Sequence, residues 1–369
     1  MYVCFMDKLP WKNLDKKKFK VELFSTNLNL PVNIAFIPYP GTRQKDPFFL
    51  VTELHGRVKT VNKDGSWDIF VDNLLNFEPD LRFPGNGESG VNGIVINPEN
   101  NDIYISLIYY ENKKYKNKIL KFKTNDFKTH YSQEVILDDF PSIKAAHQVQ
   151  ALTIGPDKKL YVNVGDGMID PGISQDDKDL RGKILRMALD GSVPIDNPFE
   201  GSYAWAKGFR NPFGADWRTS NNQLYISDNG PQYDDRISMV EPGKNYGWPD
   251  SMRQNSIFWW EKTLGLTGIA FMQGGQFHKK YTDYLFLAAF GQVYNFGSSG
   301  KGKTVYKMNI NLQNEVKSCE PFLKYTGLGP ASIAGMAFGP DGLYFTDLFG
   351  EEGFKDGKIK ANIYRIINQ

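Results

Sequence analysis

Six times along its 369 residues the chain repeats one phrase: an apolar triplet, a turn that often holds Pro with Gly or an acidic residue, and a β run rich in Tyr, Phe, Val and Ile. The copies are Ile34-Ala-Phe-Ile-Pro38 with Phe49-Leu-Val-Thr52, Ile94-Val-Ile-Asn-Pro98 with Ile103-Tyr-Ile-Ser106, and Leu152-Thr-Ile-Gly-Pro156 with Leu160-Tyr-Val-Asn163. Further on come Ala215-Asp-Trp-Arg218 with Leu224-Tyr-Ile-Ser227, Ile269-Ala-Phe271 with Leu285-Phe-Leu-Ala288, and Met336-Ala-Phe-Gly-Pro340 with Leu343-Tyr-Phe-Thr346. The period is roughly sixty residues, which leaves room for four strands and generous loops. Turn residues such as Pro156-Asp-Lys-Lys159 and Pro340-Asp-Gly342 make each phrase a two-stranded hairpin. Six such units predict an all-β fold, a six-bladed β-propeller whose four-stranded antiparallel blades surround a central channel. The hairpins supply the inner strands, so the loops leaving them converge on the channel mouth, where function collects. Ring closure joins the chain ends, with Phe19-Lys-Val-Glu-Leu23 and Ile363-Tyr-Arg-Ile366 as the natural pair of edges. Residues 1–369 read as one domain, because no linker or low-complexity tract interrupts them.

Composition narrows the partners. The formal charge of +2 is the balance of 44 basic and 42 acidic residues, which points to neither nucleic acid nor an anionic membrane and leaves a small neutral molecule as the default ligand. No stretch reaches membrane-spanning length, and the apolar run before Asp7 is too short for a secretory core. Cys4 and Cys319 cannot make a disulfide framework, and two free thiols are favoured over one bridge. There is no HExxH spacing, phosphate-binding glycine loop, dinucleotide fingerprint or GxSxG elbow. Most aromatic residues, including those of Asn245-Tyr-Gly-Trp-Pro249, read as blade core.

Of the four histidines, His55, His130 and His278 read as turn or loop residues, whereas His147 stands at the entry to the third inner hairpin. The exit of that hairpin, Val162-Asn-Val-Gly-Asp166, returns Asp166 to the same rim. A carboxylate beside an imidazole fixes its tautomer and raises its basicity, as a general base requires; the same pair could equally tie a hairpin. In the fourth blade, Gly208-Phe-Arg-Asn-Pro-Phe-Gly214 places Arg210 and Asn211 on the entry loop, and Ser227 to Ile237 forms the exit loop. A guanidinium and a carboxamide beside a carbonyl-rich turn suit an oxygen-bearing ligand or a hard cation, and a loop that caps the blade is the plainer alternative.

These residues resemble the glucose/sorbosone dehydrogenase family of soluble aldose sugar dehydrogenases. The likeness begins at Leu30-Pro-Val-Asn-Ile-Ala-Phe36 and is densest in Leu180-Arg-Gly-Lys-Ile-Leu-Arg186, Gly208-Phe-Arg-Asn-Pro-Phe-Gly214 and Gly243-Lys-Asn-Tyr-Gly-Trp-Pro249. The resemblance implies a six-bladed propeller that oxidises a sugar or related alcohol with pyrroloquinoline quinone and calcium and passes electrons to an external acceptor. It implies His147 as the base, Asp166 as its orienting carboxylate, and Arg210 as the cation that polarises the quinone. Asn211, Asn229 and Asp235 are implied at the cofactor, and the carbonyls of Gly230 and Pro231 at the calcium. It also implies an extracytoplasmic setting. The chain departs from the family pattern where an arginine pair gives way to Ser332-Ile-Ala-Gly335, where a lysine is replaced around Ala288-Ala-Phe290, and at Arg236, Ala146 and Glu88. The alternative function is a propeller that has lost the quinone and serves as a carbohydrate- or protein-binding module.

Overall fold

The computed structural model describes residues 9–15, 17–78, 87–142, 147–291, 303–356 and 358–369. The six phrases are six antiparallel hairpins, each the inner half of a four-stranded blade. The first blade runs outward through Pro31–Phe36, Pro47–Glu53, Arg57–Asn62 and Trp67–Val71, and the fourth through Pro212–Arg218, Gln223–Asp228, Asp235–Val240 and Phe258–Trp260. The innermost strands of the six blades, Pro31–Phe36, Val91–Ile96, Val149–Ile154, Pro212–Arg218, Leu266–Phe271 and Ile333–Phe338, pack neighbour against neighbour until the last meets the first. This is the expected six-bladed propeller. Apolar clusters fill the spaces between blades, for example Tyr225, Ile237, Phe271 and Leu285 between the fourth and fifth.

Closure is also as expected. Phe19–Leu28 forms the outermost strand of the sixth blade and pairs with Ala361–Asn368, so an early and a late segment of the chain share a sheet. Trp11–Asn13 reaches one blade further back and lies as a fifth strand on Val316–Tyr325. The described residues contain no helix long and apolar enough to cross a membrane. Cys319 is a free thiol, and Cys4 lies outside the described residues.

The last residue of five of the six phrases has a further task. Every inner hairpin has a bulge in its first strand at the same place. In four blades the hydroxyl that closes the phrase accepts the N–H freed by the bulge, as Ser227 Oγ does from Gly214 at 2.9 Å and Thr346 Oγ1 from Gly335 at 2.8 Å. The same hydroxyls then donate to a carbonyl of the next blade: Thr52 to Asn92, Ser106 to Gln150, Ser227 to Thr267 and Thr346 to Val32. Asn163 bridges to Gly214 with its amide, and Thr267 substitutes for Ala288 by donating to Ile333. Six side chains thus close a hydrogen-bonded belt around the channel. The approach in the sixth blade is so tight that a Cβ on Gly335 would lie 2.0 Å from the Val32 carbonyl oxygen, which is why that bulge carries glycine.

A carboxylate follows the clamp residue in three blades, as Glu53, Asp228 and Asp347, and accepts backbone amides near the start of an inner strand. Glu53 is paired with Lys59 and Asp228 with Arg236. Asp347 has only the amides of Ser332 and Gly350 and a long 3.4 Å contact from the Trp11 indole, with no cation within salt-bridge reach among the described residues. Complete burial pushes its carboxyl up to about 7, and its hydrogen bonds offset only part of that. The folded protein therefore keeps a proton that the unfolded chain has released above pH ~4. This group's contribution to stability is fully present below that pH, is lost as the pH rises to about 7, and is flat beyond. At ~1.4 kcal/mol per pH unit the loss amounts to a few kcal/mol. Asp347→Asn is expected to flatten this part of the pH–stability curve and to raise the melting temperature at pH 8; a lower melting temperature there would show that the carboxylate is stabilised by a charge.

Candidate active site

Loops from all six blades enclose one cavity of about 610 Å³ at the channel mouth. Val32, Leu54, Phe213, Leu266, Phe290 and Leu348 supply its apolar walls, and Glu88, His147, Arg210, Asn211, Asn229 and Asp235 its polar ones. His147 and Arg210, from the third and fourth blades, therefore face the same space. His55, His130 and His278 lie elsewhere; His130 packs against the rings of Phe70 and Phe122, and His278 caps a short 3₁₀ turn.

His147 Nδ1 lies 2.5 Å from Asp166 Oδ1, and both side chains are buried. A carboxylate only accepts, so Nδ1 carries the proton and Nε2 is left as the basic ring nitrogen. Met168 N–H donates to the same Asp166 oxygen at 2.9 Å, and the Trp248 indole donates to Oδ2 at 2.9 Å. Burial pushes the Asp166 carboxyl upward, but the His147 hydrogen bond, helped by Met168 and the charge of Arg210, outweighs it and holds the group below the ordinary carboxylate range. The backbone of His147 is in the left-handed region, at φ 58°, and Gly165 passes so close beneath it that a Cβ there would meet His147 backbone atoms at 2.7 Å.

Glu88 joins three blades. One oxygen accepts from His147 N–H at 2.8 Å and Gln150 Nε2 at 2.7 Å, and the other accepts from Asn211 Nδ2 at 3.0 Å. The Asn211 atom that faces a carboxylate must be its NH₂, which fixes the amide and leaves Oδ1 buried without a hydrogen-bond partner among the described residues. Asn229 is fixed in the same way by the Leu266 carbonyl, 2.8 Å from Nδ2, and its Oδ1 is likewise unpartnered. Arg210 Nη1 donates to the carbonyls of Asn229 and Gly230, each at 3.0 Å, and its guanidinium lies 5.6 Å from the Trp248 ring. Asp235 turns its carboxylate onto the amides of Gly230, Leu264 and Gly265, stapling the exit loop, and burial raises it to about 6 despite those bonds. Pro231 lines the cavity beside Gly230.

Arg236 does not face the carbonyl turn. It is fully buried, makes two hydrogen bonds to Asp228, and donates to the carbonyls of Gly208, Tyr246 and Met252. The other oxygen of Asp228 holds the Asn211 amide at 2.7 Å, so Arg236 supports the wall from behind. Residues 28–346 match the Glucose / Sorbosone dehydrogenase family along nearly the whole ring. The chain belongs to the glucose/sorbosone dehydrogenase family.

Among relatives in the family, quinoprotein glucose dehydrogenase B of Acinetobacter calcoaceticus is 31% identical over 275 residues, 66% of this chain and 54% of that protein. Aldose sugar dehydrogenase YliI of Escherichia coli (strain K12) is 26% identical over 215 residues, 51% of this chain and 53% of that protein. The matched stretch thus spans about half the length of these curated relatives. Among solved structures, the PQQ-bound form of aldose sugar dehydrogenase from Streptomyces coelicolor superimposes with a TM-score of 0.71 at 22% identity, covering 95% of this chain and 99% of that one. The apo-form of the soluble aldose sugar dehydrogenase from Escherichia coli gives 0.74 at 20%, covering 95% and 100%. At these identities the superpositions speak for the family's propeller fold.

Sequence reasoning placed His147, Asp166, Arg210, Asn211, Asn229 and the Gly230–Pro231 turn about this mouth. It missed Trp248, read as blade core, although Gly243 to Pro249 was among the densest stretches of family likeness. Ala146 lies outside the described residues.

Proposed function

We propose that this protein oxidises a hydroxyl of an aldose sugar or related alcohol, with His147 as the base and pyrroloquinoline quinone as the cofactor. The observation that carries the reading is the oriented pair His147–Asp166 in the same cavity as the Arg210 guanidinium. The apolar walls suit a flat tricyclic ring, and Arg210 is a donor that matches quinone oxygens, which only accept. The carboxylates of that group find less: Arg210 is the one arginine or lysine among the described lining residues, and Ser332 spends its hydroxyl on the Phe290 carbonyl. Micromolar binding is the expectation. Calcium fits poorly, because an ion on the Gly230 carbonyl would compete with the guanidinium already bonded there.

When bound, the quinone supplies the two-electron acceptor for the hydride that leaves the carbinol carbon. His147 Nε2 takes the hydroxyl proton as the carbonyl forms. Asp166 keeps Nδ1 protonated, so the tautomer never competes for the substrate, and its charge stabilises the imidazolium. Arg210 presents a fixed cation to the negative charge that develops across the cavity. A buried oxygen without a partner costs ~1–3 kcal/mol, so Asn211 Oδ1 favours a ligand that donates, as a sugar hydroxyl does.

The test is reconstitution. Purified protein given micromolar pyrroloquinoline quinone is expected to develop a bound-quinone absorption band and to reduce a redox dye when an aldose is added. Sugar binding without any quinone band would favour the recognition module instead.

A further inference from the structure

We propose that Trp248 is a positioning residue that couples the His147–Asp166 pair to Arg210, its indole N–H fixing the second oxygen of Asp166 while its ring carries the guanidinium. The inference rests on the reading of His147 as a base. Asp166 Oδ1 already serves His147 Nδ1 and Met168 N–H, so the carboxylate could still swing about its own axis if Oδ2 were untethered. Trp248 Nε1, 2.9 Å from Oδ2, removes that freedom. An indole nitrogen only donates, so the contact cannot reverse its sense as a hydroxyl or amide could. The ring of the same residue lies 5.6 Å from the Arg210 guanidinium, within cation–π range. One side chain therefore sets both the base and the cation.

Trp248 is itself anchored at the backbone. Its N–H donates to the Gly208 carbonyl at 3.1 Å, and its carbonyl accepts from Ser174 Oγ at 2.7 Å and Gln175 Nε2 at 2.5 Å. Ser174 and Gln175 belong to the 3₁₀ turn Pro171–Gln175, which the buried Lys183 pins through the carbonyls of Ile173 and Ser174. A residue needed only to fill a loop would not require this succession of fixed donors ending on the carboxylate.

The charged groups about His147 are Asp166 at Nδ1, Glu88 at its backbone N–H, and Arg210 through its field on Asp166. In Trp248→Phe a smaller aromatic ring stays and the N–H donor to Asp166 is lost. The Asp166 charge then concentrates on the oxygen facing His147, which favours the imidazolium. The acid limb of the kcat/KM profile is expected to move to higher pH by about 0.5–1 unit, the equivalent of one hydrogen bond, and kcat to fall about 10-fold. Trp248→Leu, which loses the ring as well, is expected to lose more. A merely structural role would lower turnover at every pH without moving the limb. The second readout needs no turnover: the downfield proton resonance of His147 Nδ1–H in the cofactor-free protein is expected to shift when Trp248 is replaced by phenylalanine. Should that variant not fold, a benzothienyl-alanine analogue at 248 removes the N–H and keeps the shape. An unchanged resonance in either folded variant overturns the proposal. Absence of dye reduction in the wild type, with the resonance shift present, would instead count against the dehydrogenase reading alone.

Discussion

His147→Asn is expected to lower kcat for aldose oxidation by about 10³-fold while quinone binding stays within a few-fold of wild type. Taking the hydroxyl proton as the hydride leaves is the step at which a general base earns its rate, and positioned bases contribute on the order of 10²–10⁴. Asparagine is small enough to fit, and its NH₂ can still meet Asp166, so the buried carboxylate keeps a donor and the fold is spared. What disappears is the basic Nε2. The cofactor's expected contacts, with Arg210 and the apolar walls, lie on other elements. Parallel loss of quinone affinity and turnover would mean that His147 shapes the cavity and carries no proton.

The second large effect is on stability. Arg236→Leu is expected to cost about 3–5 kcal/mol, because it strands the fully buried Asp228 without its cation. It also leaves the carbonyls of Gly208, Tyr246 and Met252 without the guanidinium they accept from. In a urea titration the midpoint should fall with the slope unchanged. Asp347 is the internal control. It occupies the corresponding place in the sixth blade without a cation among the described residues, so neutralising it is expected to help at pH 8 while removing the partner of Asp228 harms. Both expectations follow from one rule, that a buried carboxylate at this position is tolerated with a guanidinium beside it and costly without one.

Much of the ring was legible because each phrase carries its own evidence: β-forming residues, a turn, and a period that repeats. The closing pair, Phe19 to Leu23 with Ile363 to Ile366, could be read for the same reason. Trp11–Asn13 could not, since three residues on an outer strand more than three hundred positions away leave no local pattern. His147 and Asp166 flank one hairpin, so local reasoning brought them together. Arg236 was harder. In the sequence it stood out only as a departure from the family pattern, whereas cross-strand pairing sets it opposite Asp228 in the fourth blade's second hairpin. The alternation of that hairpin holds the signal, because Asp228 and Arg236 bracket its loop. Trp248 was beyond reach: an aromatic residue in a loop looks like core until its N–H is seen to end on Asp166. Glu88 could be flagged as a departure, but its hold on Asn211 across two blades depends on ring geometry.

A crystal grown with pyrroloquinoline quinone tests most directly whether one cavity brings the base and the cation to one ligand. The quinone is predicted to lie against the apolar walls of this cavity, within reach of both Arg210 and His147. Quinone bound at the opposite end of the channel, or within this cavity but turned so that protein separates it from His147, would contradict that arrangement.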